Sequence, residues 1–275
     1  QAVHQFEFSL AAGVLLNDSA RLKNRVLQVH NGTAPLPQGF DGEGVVMGII
    51  DTGLDYHHPD FRDEQDVTRV YRYWDQVPQG NPNSPAPYGY GTEWTREDLE
   101  ATALGPVDPQ GHGTTVSGTA AGNGLANGKH KGVAPKTELI VVASPMGAPN
   151  WTATVADGVK YIFDYAEALG KPAVVNISMG SYSGSHDGKD AAALFIEDLL
   201  LEQPSRALAA AAGNSHGSFP YHVHTEVGAD TTFSWFQTNT FPPAYNAFDF
   251  PNVYFEVWAD AVDMQQVRFA IGADR

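Results

Sequence analysis

Short continuous apolar runs alternate along the chain with stretches in which apolar residues return every three or four positions. "VVMGII" (45–50) is a largely β-branched run that stops at Asp51, the pattern of a strand buried on both faces. "ELIVVAS" (138–144), "AVVNISM" (173–179) and "ALAAAAGN" (207–214) predict three more strands. Between them, Val155, Val159, Ile162, Ala166 and Leu169 fall on one face of a helix that stops at Gly170. "DGKDAAALFIEDLLLEQ" (187–203) predicts another helix. Strand and helix in alternation imply an α/β fold, a parallel sheet with helices on both faces.

Two further stretches fill the first half. "TRVYRYWDQ" (68–76) is an extended candidate, followed by a Pro-, Gly- and Asn-rich loop from Pro78 to Gly91. Thr95 and Asp98 have the spacing of a capping pair at the start of a short helix. The texture changes near Ser218. Beyond it, "TTFSWFQT", "NVYFEVWAD" and "QQVRFAIG" are aromatic and β-branched runs with no helical period between them, which predicts the start of an antiparallel all-β region, incomplete at Arg275.

Composition narrows the partners. The chain has 275 residues, 42% of them hydrophobic, enough for a sizeable core. With 32 Asp plus Glu against 16 Lys plus Arg, the formal charge of -16 repels a phosphate backbone, so nucleic acid is not an expected partner. No apolar run reaches the roughly 18–20 residues of a membrane span. The absence of cysteine removes disulfides, thiol catalysis and Cys-ligated zinc.

In a parallel α/β sheet, ligands gather at the carboxyl ends of the strands. That rule selects Asp51 at the end of the first strand, the segment "NISMGSYSG" after another, and Asn214 at the end of a third. His112, in "GHGTTVSGTAAG", joins them if a helix begins there. A carboxylate, an imidazole and an amide make a partial set for acyl transfer. Asp51 would hold the imidazole tautomer, His112 would shuttle the proton, and Asn214 would donate to a tetrahedral oxyanion. The set has no nucleophile.

"VVMGIIDTGLDYHHPDF", "GHGTTVSGTAAG", "GVAP", "VVNISMGSYSG" and "AAAAGN" resemble, in order, the successive signature blocks of the subtilisin-like serine proteases (subtilases, peptidase family S8). The resemblance implies that Asp51 is the triad aspartate, His112 the general base and Asn214 the oxyanion-hole asparagine. It also implies that Ser178, Met179 and Gly180 pair with substrate backbone, and that Ala211, Ala212 and Gly213 line the pocket for the residue before the scissile bond. On this reading residues 43–217 are the N-terminal part of a catalytic domain, residues 1–42 an extension packing on it, and 218–275 the beginning of an inserted β domain. A peptide or protein is the implied substrate, and no cofactor is required.

Thr115 stands where the family usually has a second histidine, and Ser181 and Tyr182 where relatives often have Gly and Pro. The larger departure is the nucleophile: no Gly-Thr-Ser-Met-Ala-x-Pro type block lies between Asn214 and Arg275, and Ser215, Ser218 and Ser234 do not match it in their neighbours. Some bacterial subtilases carry a jelly-roll-like domain between the asparagine and the serine, so the expectation is that the serine belongs to a C-terminal part beyond Arg275, which the folded unit needs. The second reading is a catalytically dead subtilase-like binding or regulatory module. Asp60 matches a position that binds calcium in some subtilases, but Lys129, His130 and Lys131 add positive charge to the companion loop, and a structural calcium stays open. His222 and His224 could share a strand face and hold a metal, or simply be surface residues. Family habit implies a secreted or cell-surface bacterial protein, with an intracellular one left open.

Overall fold

Val46–Asp51 forms β1 at the centre of a six-stranded sheet, with β4 (Glu138–Ala143) on one side and β5 (Ala173–Ile177) on the other, both parallel to it. The sheet continues through β2 (Val70–Asp75) to β3 (Thr92–Thr95) beyond β4, and to β6 (Arg206–Ala210) beyond β5. The computed structural model describes residues 16–77, 83–214, 224–228, 230–235 and 255–272. It divides the chain into two compact units, Gln1–Met179 with Ala191–Ala211, and Gly180–Asp190 with Ala212–Arg275.

The first unit holds the sheet. Its helices are α1 (Leu16–Lys23), α2 (Val26–His30), α3 (Arg96–Ala101), α4 (His112–Ala121), α5 (Trp151–Ala168) and α6 (Ala191–Glu202). Side chains alternate across each strand, which explains the unbroken apolar run of β4. Ile140 and Val142 pack with Val155, Val159 and Ile162 of α5, while Leu139 and Val141 pack with Phe61, Tyr73 and Leu99. Helix α5 lies so close to β1 that a Cβ on Gly48 would stand 2.6 Å from Ile162 Cγ2. The capping pair forms as expected: Thr95 Oγ1 accepts from the Asp98 amide, and the Asp98 carboxylate accepts from the Thr95 amide.

Five strands are parallel, but β3 runs antiparallel to β2, which corrects the all-parallel expectation. The chain returns from Asp75 to Thr92 with no helix among its described residues, and a parallel return needs a crossover element. Helix α6 starts at Ala191 rather than at Asp187. Asp187 Oδ1 instead accepts hydrogen bonds from Ser185 Oγ and the Lys189 amide, closing a turn. Strand β6 ends at Ala210 because its partner β5 ends at Ile177, the last rung being Ala211 N–H to Ile177 O. Asn214 therefore lies past the strand, not at its tip. Helices α1 and α2 were not anticipated; His30 Nε2 lies 2.7 Å from the Val133 carbonyl oxygen.

In the second unit the described residues contain no strand, and one short helix, α7 (Ala261–Met264). "QQVRFAIG", described in full, is not a strand, and neither are the described parts of "TTFSWFQT" and "NVYFEVWAD". A β-rich composition makes a strand only where another backbone supplies ladder hydrogen bonds, and no ladder forms among the described residues of these runs. The Glu256 carboxylate accepts instead from the Gly184 amide at 2.6 Å and from Trp258 Nε1 at 3.1 Å. No helix among the described residues is long and apolar enough to cross a membrane.

Candidate active site

Asp51 is the last residue of β1, and its side chain is fully buried. His112 is the first residue of α4, with an imidazole 52% exposed. The two meet: Asp51 Oδ1 lies 2.6 Å from His112 Nδ1. An ionised carboxylate can only accept, so Nδ1 carries the hydrogen and Nε2 is left as the basic nitrogen of the neutral ring. The Thr52 amide also donates to Asp51 Oδ1, at 2.8 Å.

Helix α4 is aimed by contacts at its first turn. Its amides need acceptors from outside the helix, and Gly111, in the left-handed region at φ 70°, offers no side chain. Thr52 Oγ1 accepts from the Gly113 amide at 2.9 Å, and Asp108 Oδ2 accepts from the Thr114 amide at 2.8 Å and Thr114 Oγ1 at 2.7 Å. Thr52 Oγ1 donates in turn to Asp108 Oδ1 at 2.7 Å. Burial opposes the charge on Asp108, but the donors of Thr114, Thr52 and Gly111 outweigh it and hold its carboxyl below the usual value. An Asp shortly before a helix start is a capping signal, and it was the available clue to Asp108, which sequence reasoning missed along with Thr52.

Gly113 makes the close approach feasible. A Cβ there would stand 2.1 Å from the Gly53 carbonyl oxygen and 3.1 Å from Asp51 Cβ. Thr115, in the position usual for a second histidine, bonds back to the Gly111 carbonyl through Oγ1 at 2.8 Å and takes no part in the pair.

The remaining candidates divide between the units. Ser178 and Met179 follow β5 in the first unit; Ser178 Oγ accepts from Asn176 Nδ2 at 2.9 Å, and Met179 is buried. Ala211 is exposed beyond β6. Gly180, Ala212, Gly213 and Asn214 are exposed residues of the second unit. There the Asn214 amide donates to the Tyr182 hydroxyl at 3.0 Å, and the Tyr182 ring packs on Gly213. Of the histidines considered for a metal, His222 lies outside the described residues, and His224 is exposed.

The buried aspartate at the carboxyl end of β1, in contact with the histidine that opens α4, lies in an α/β domain consistent with a subtilisin-like fold. The chain belongs to the subtilase family, peptidase S8, whose profile matches residues 42–245. It is similar to the subtilisin-like protease PopC of Myxococcus xanthus, 35% identical over 150 residues, which are 52% of this chain and 26% of PopC. Similarity to bacillopeptidase F of Bacillus subtilis is 31% over 152 residues, 53% of this chain and 10% of that protein. The chain thus spans about a quarter or less of the length of these relatives. Among solved structures, the CspB protease of Clostridium perfringens matches 70% of this chain and 41% of its own, with a TM-score of 0.57 and 26% identity.

Proposed function

We propose that the chain carries the acid–base half of a serine endopeptidase acting on peptide or protein substrates. The observation that supports this most directly is the 2.6 Å contact between buried Asp51 and half-exposed His112. In the proposed reaction a serine Oγ bonds to the peptide carbonyl carbon as its proton passes to His112 Nε2. Asp51 stabilises the imidazolium. The proton then moves to the amide nitrogen as the C–N bond breaks, and water repeats the sequence on the acyl-enzyme.

The serine is proposed to lie in a C-terminal part of the same protein beyond Arg275, following an inserted domain that begins near Ser218. The side-chain amide of Asn214 would donate to the oxyanion, and removal of one such donor costs roughly 10²–10³ in kcat. Ser178, Met179 and Gly180 would pair with substrate backbone, and Ala211, Ala212 and Gly213 would flank the residue before the scissile bond. No cofactor enters this chemistry. A secreted or cell-surface setting belongs to the same proposal.

The test is peptide hydrolysis by the full-length protein. Asp51→Asn leaves the histidine in the wrong tautomer, and kcat should fall by about 10⁴. Adding His112→Ala to that variant should cost far less than His112→Ala alone costs the wild type, because the two residues act as a unit. Turnover by Asp51→Asn within about tenfold of wild type would remove the proposal's support.

A further inference from the structure

Asp60, in the one-turn 3-10 helix Pro59–Phe61, stands where some subtilases bind calcium, and segment 122–132 faces it. Calcium takes about 6–8 oxygen ligands at about 2.3–2.6 Å. Three of the side-chain oxygens here are already turned to backbone amides. Asp60 Oδ1 accepts from the Ala126 amide at 2.8 Å, Asn123 Oδ1 from Leu125 at 3.0 Å, and Asn127 Oδ1 from Lys129 at 2.9 Å. An N–H aimed at each of these three oxygens puts positive charge beside it, and Asp60 Oδ2, the fourth side-chain oxygen of the three residues, is one ligand against the roughly six to eight that calcium takes. Among the described residues no group of three His, Asp or Glu side chains could hold a metal ion. The residues do not fit calcium.

The segments converge on a side-chain cation instead. Arg69, one residue ahead of β2, sends one terminal guanidinium nitrogen to the carbonyl oxygens of Asp60 at 2.8 Å and Ala121 at 2.5 Å. Its other terminal nitrogen reaches those of Pro135 at 2.7 Å and Thr137 at 3.0 Å. These carbonyls belong to three separate stretches: the turn after β1, the last residue of α4, and the approach to β4. The Ala121 carbonyl is one of the four that a helix leaves unbonded at its C-terminus, where the helix dipole favours a positive charge. Burial pulls the guanidinium down to about 10, partly offset by the charges of Asp60 and Asp63, so it stays protonated through the neutral range.

We propose that Arg69 is the built-in structural cation of this region, joining by its planar fork of donors what a calcium ion joins through ligands, and that Asp60 and the 122–132 segment are held without calcium. A lysine could not substitute fully, having three donors on one atom where the guanidinium holds two terminal nitrogens, each reaching two carbonyls, in a fixed fork.

Amide hydrogen exchange of residues 119–134 tests this locally, in millimolar calcium and in chelator. Exchange in the wild-type protein should be the same in both, whereas faster exchange in chelator would overturn the assignment. Arg69→Met should speed exchange there by about tenfold or more, Arg69→Lys by less, and calcium should restore neither. Recovery of wild-type protection by calcium in Arg69→Met would equally overturn it. If Arg69→Met does not fold, the wild-type comparison and Arg69→Lys still decide the matter.

Discussion

Thr52 Oγ1 donates to Asp108 Oδ1 at 2.7 Å while accepting from the Gly113 amide at 2.9 Å, so one hydroxyl joins the residue after the acid to the helix that carries the base. The geometry of the Asp51–His112 pair is thereby held by the backbones around it and not by its own hydrogen bond alone. Thr52→Val keeps the shape and removes the hydroxyl, leaving a helix amide and a carboxylate oxygen without their partner. The expected loss is roughly 1–3 kcal/mol of stability and up to about 10² in kcat/KM from misplacement of His112. Thermal melts and peptide hydrolysis of the full-length variant measure the two, and wild-type values in both would show the hydroxyl to be dispensable.

Gly113→Ala tests the close approach of α4 to the end of β1. With a Cβ only 2.1 Å from the Gly53 carbonyl oxygen, the helix start must move. Overpacking of this kind costs typically about 1–3 kcal/mol, and the imidazole should shift relative to Asp51. The low-field NMR signal of the shared Nδ1 proton is the readout, expected to move or broaden in the variant and to stay sharp if the backbone accommodates the methyl without displacement.

Asp108 predicts a pH effect. Its folded-state pKa lies below the 3.8 of the free carboxyl, so the native state releases this proton more readily than the unfolded chain does. The contribution to stability is therefore complete above the unfolded value and is lost as pH falls through the folded one. Between roughly pH 5 and roughly pH 2, the melting temperature of Asp108→Asn should fall less steeply than that of wild type. Parallel curves would mean that Asp108 titrates alike in both states.

Most of the sheet was legible because burial on both faces leaves an unbroken apolar run, as in "VVMGII" and "ELIVVAS", and α5 because its apolar face repeats at helical steps. The Asp51–His112 pair was legible for a related reason, since a strand end and a glycine-flanked helix start mark the rim. Other features depend on partners that a local pattern does not contain. Strand β3 exists through its antiparallel pairing with β2, β6 stops where β5 stops, and the roles of Thr52 and Asp108 arise from contacts with α4. The described residues of the aromatic runs beyond Ser218 show the same limit from the other side, because strand-like composition is there without a ladder.

Core packing gives a prediction independent of catalysis. A methyl group on Gly48 would meet Ile162 Cγ2 at 2.6 Å and Cδ1 at 2.8 Å. Gly48→Ala should cost about 1–3 kcal/mol, and Ile162→Val, which shortens the facing side chain, should recover part of that loss in the double variant. The coupling can be read from denaturant midpoints. Simple additivity of the two losses would show that α5 moves away from β1 instead of pressing on it.

Labelling by a serine-directed fluorophosphonate probe tests the central claim most directly. The full-length protein should form one covalent adduct, on a serine beyond Arg275, and His112→Ala should abolish or greatly slow its formation while preserving the melt. Absence of labelling in a folded wild-type protein would contradict the account and favour a subtilase-like binding module, in which Asp51 and His112 keep their geometry without a nucleophile to serve.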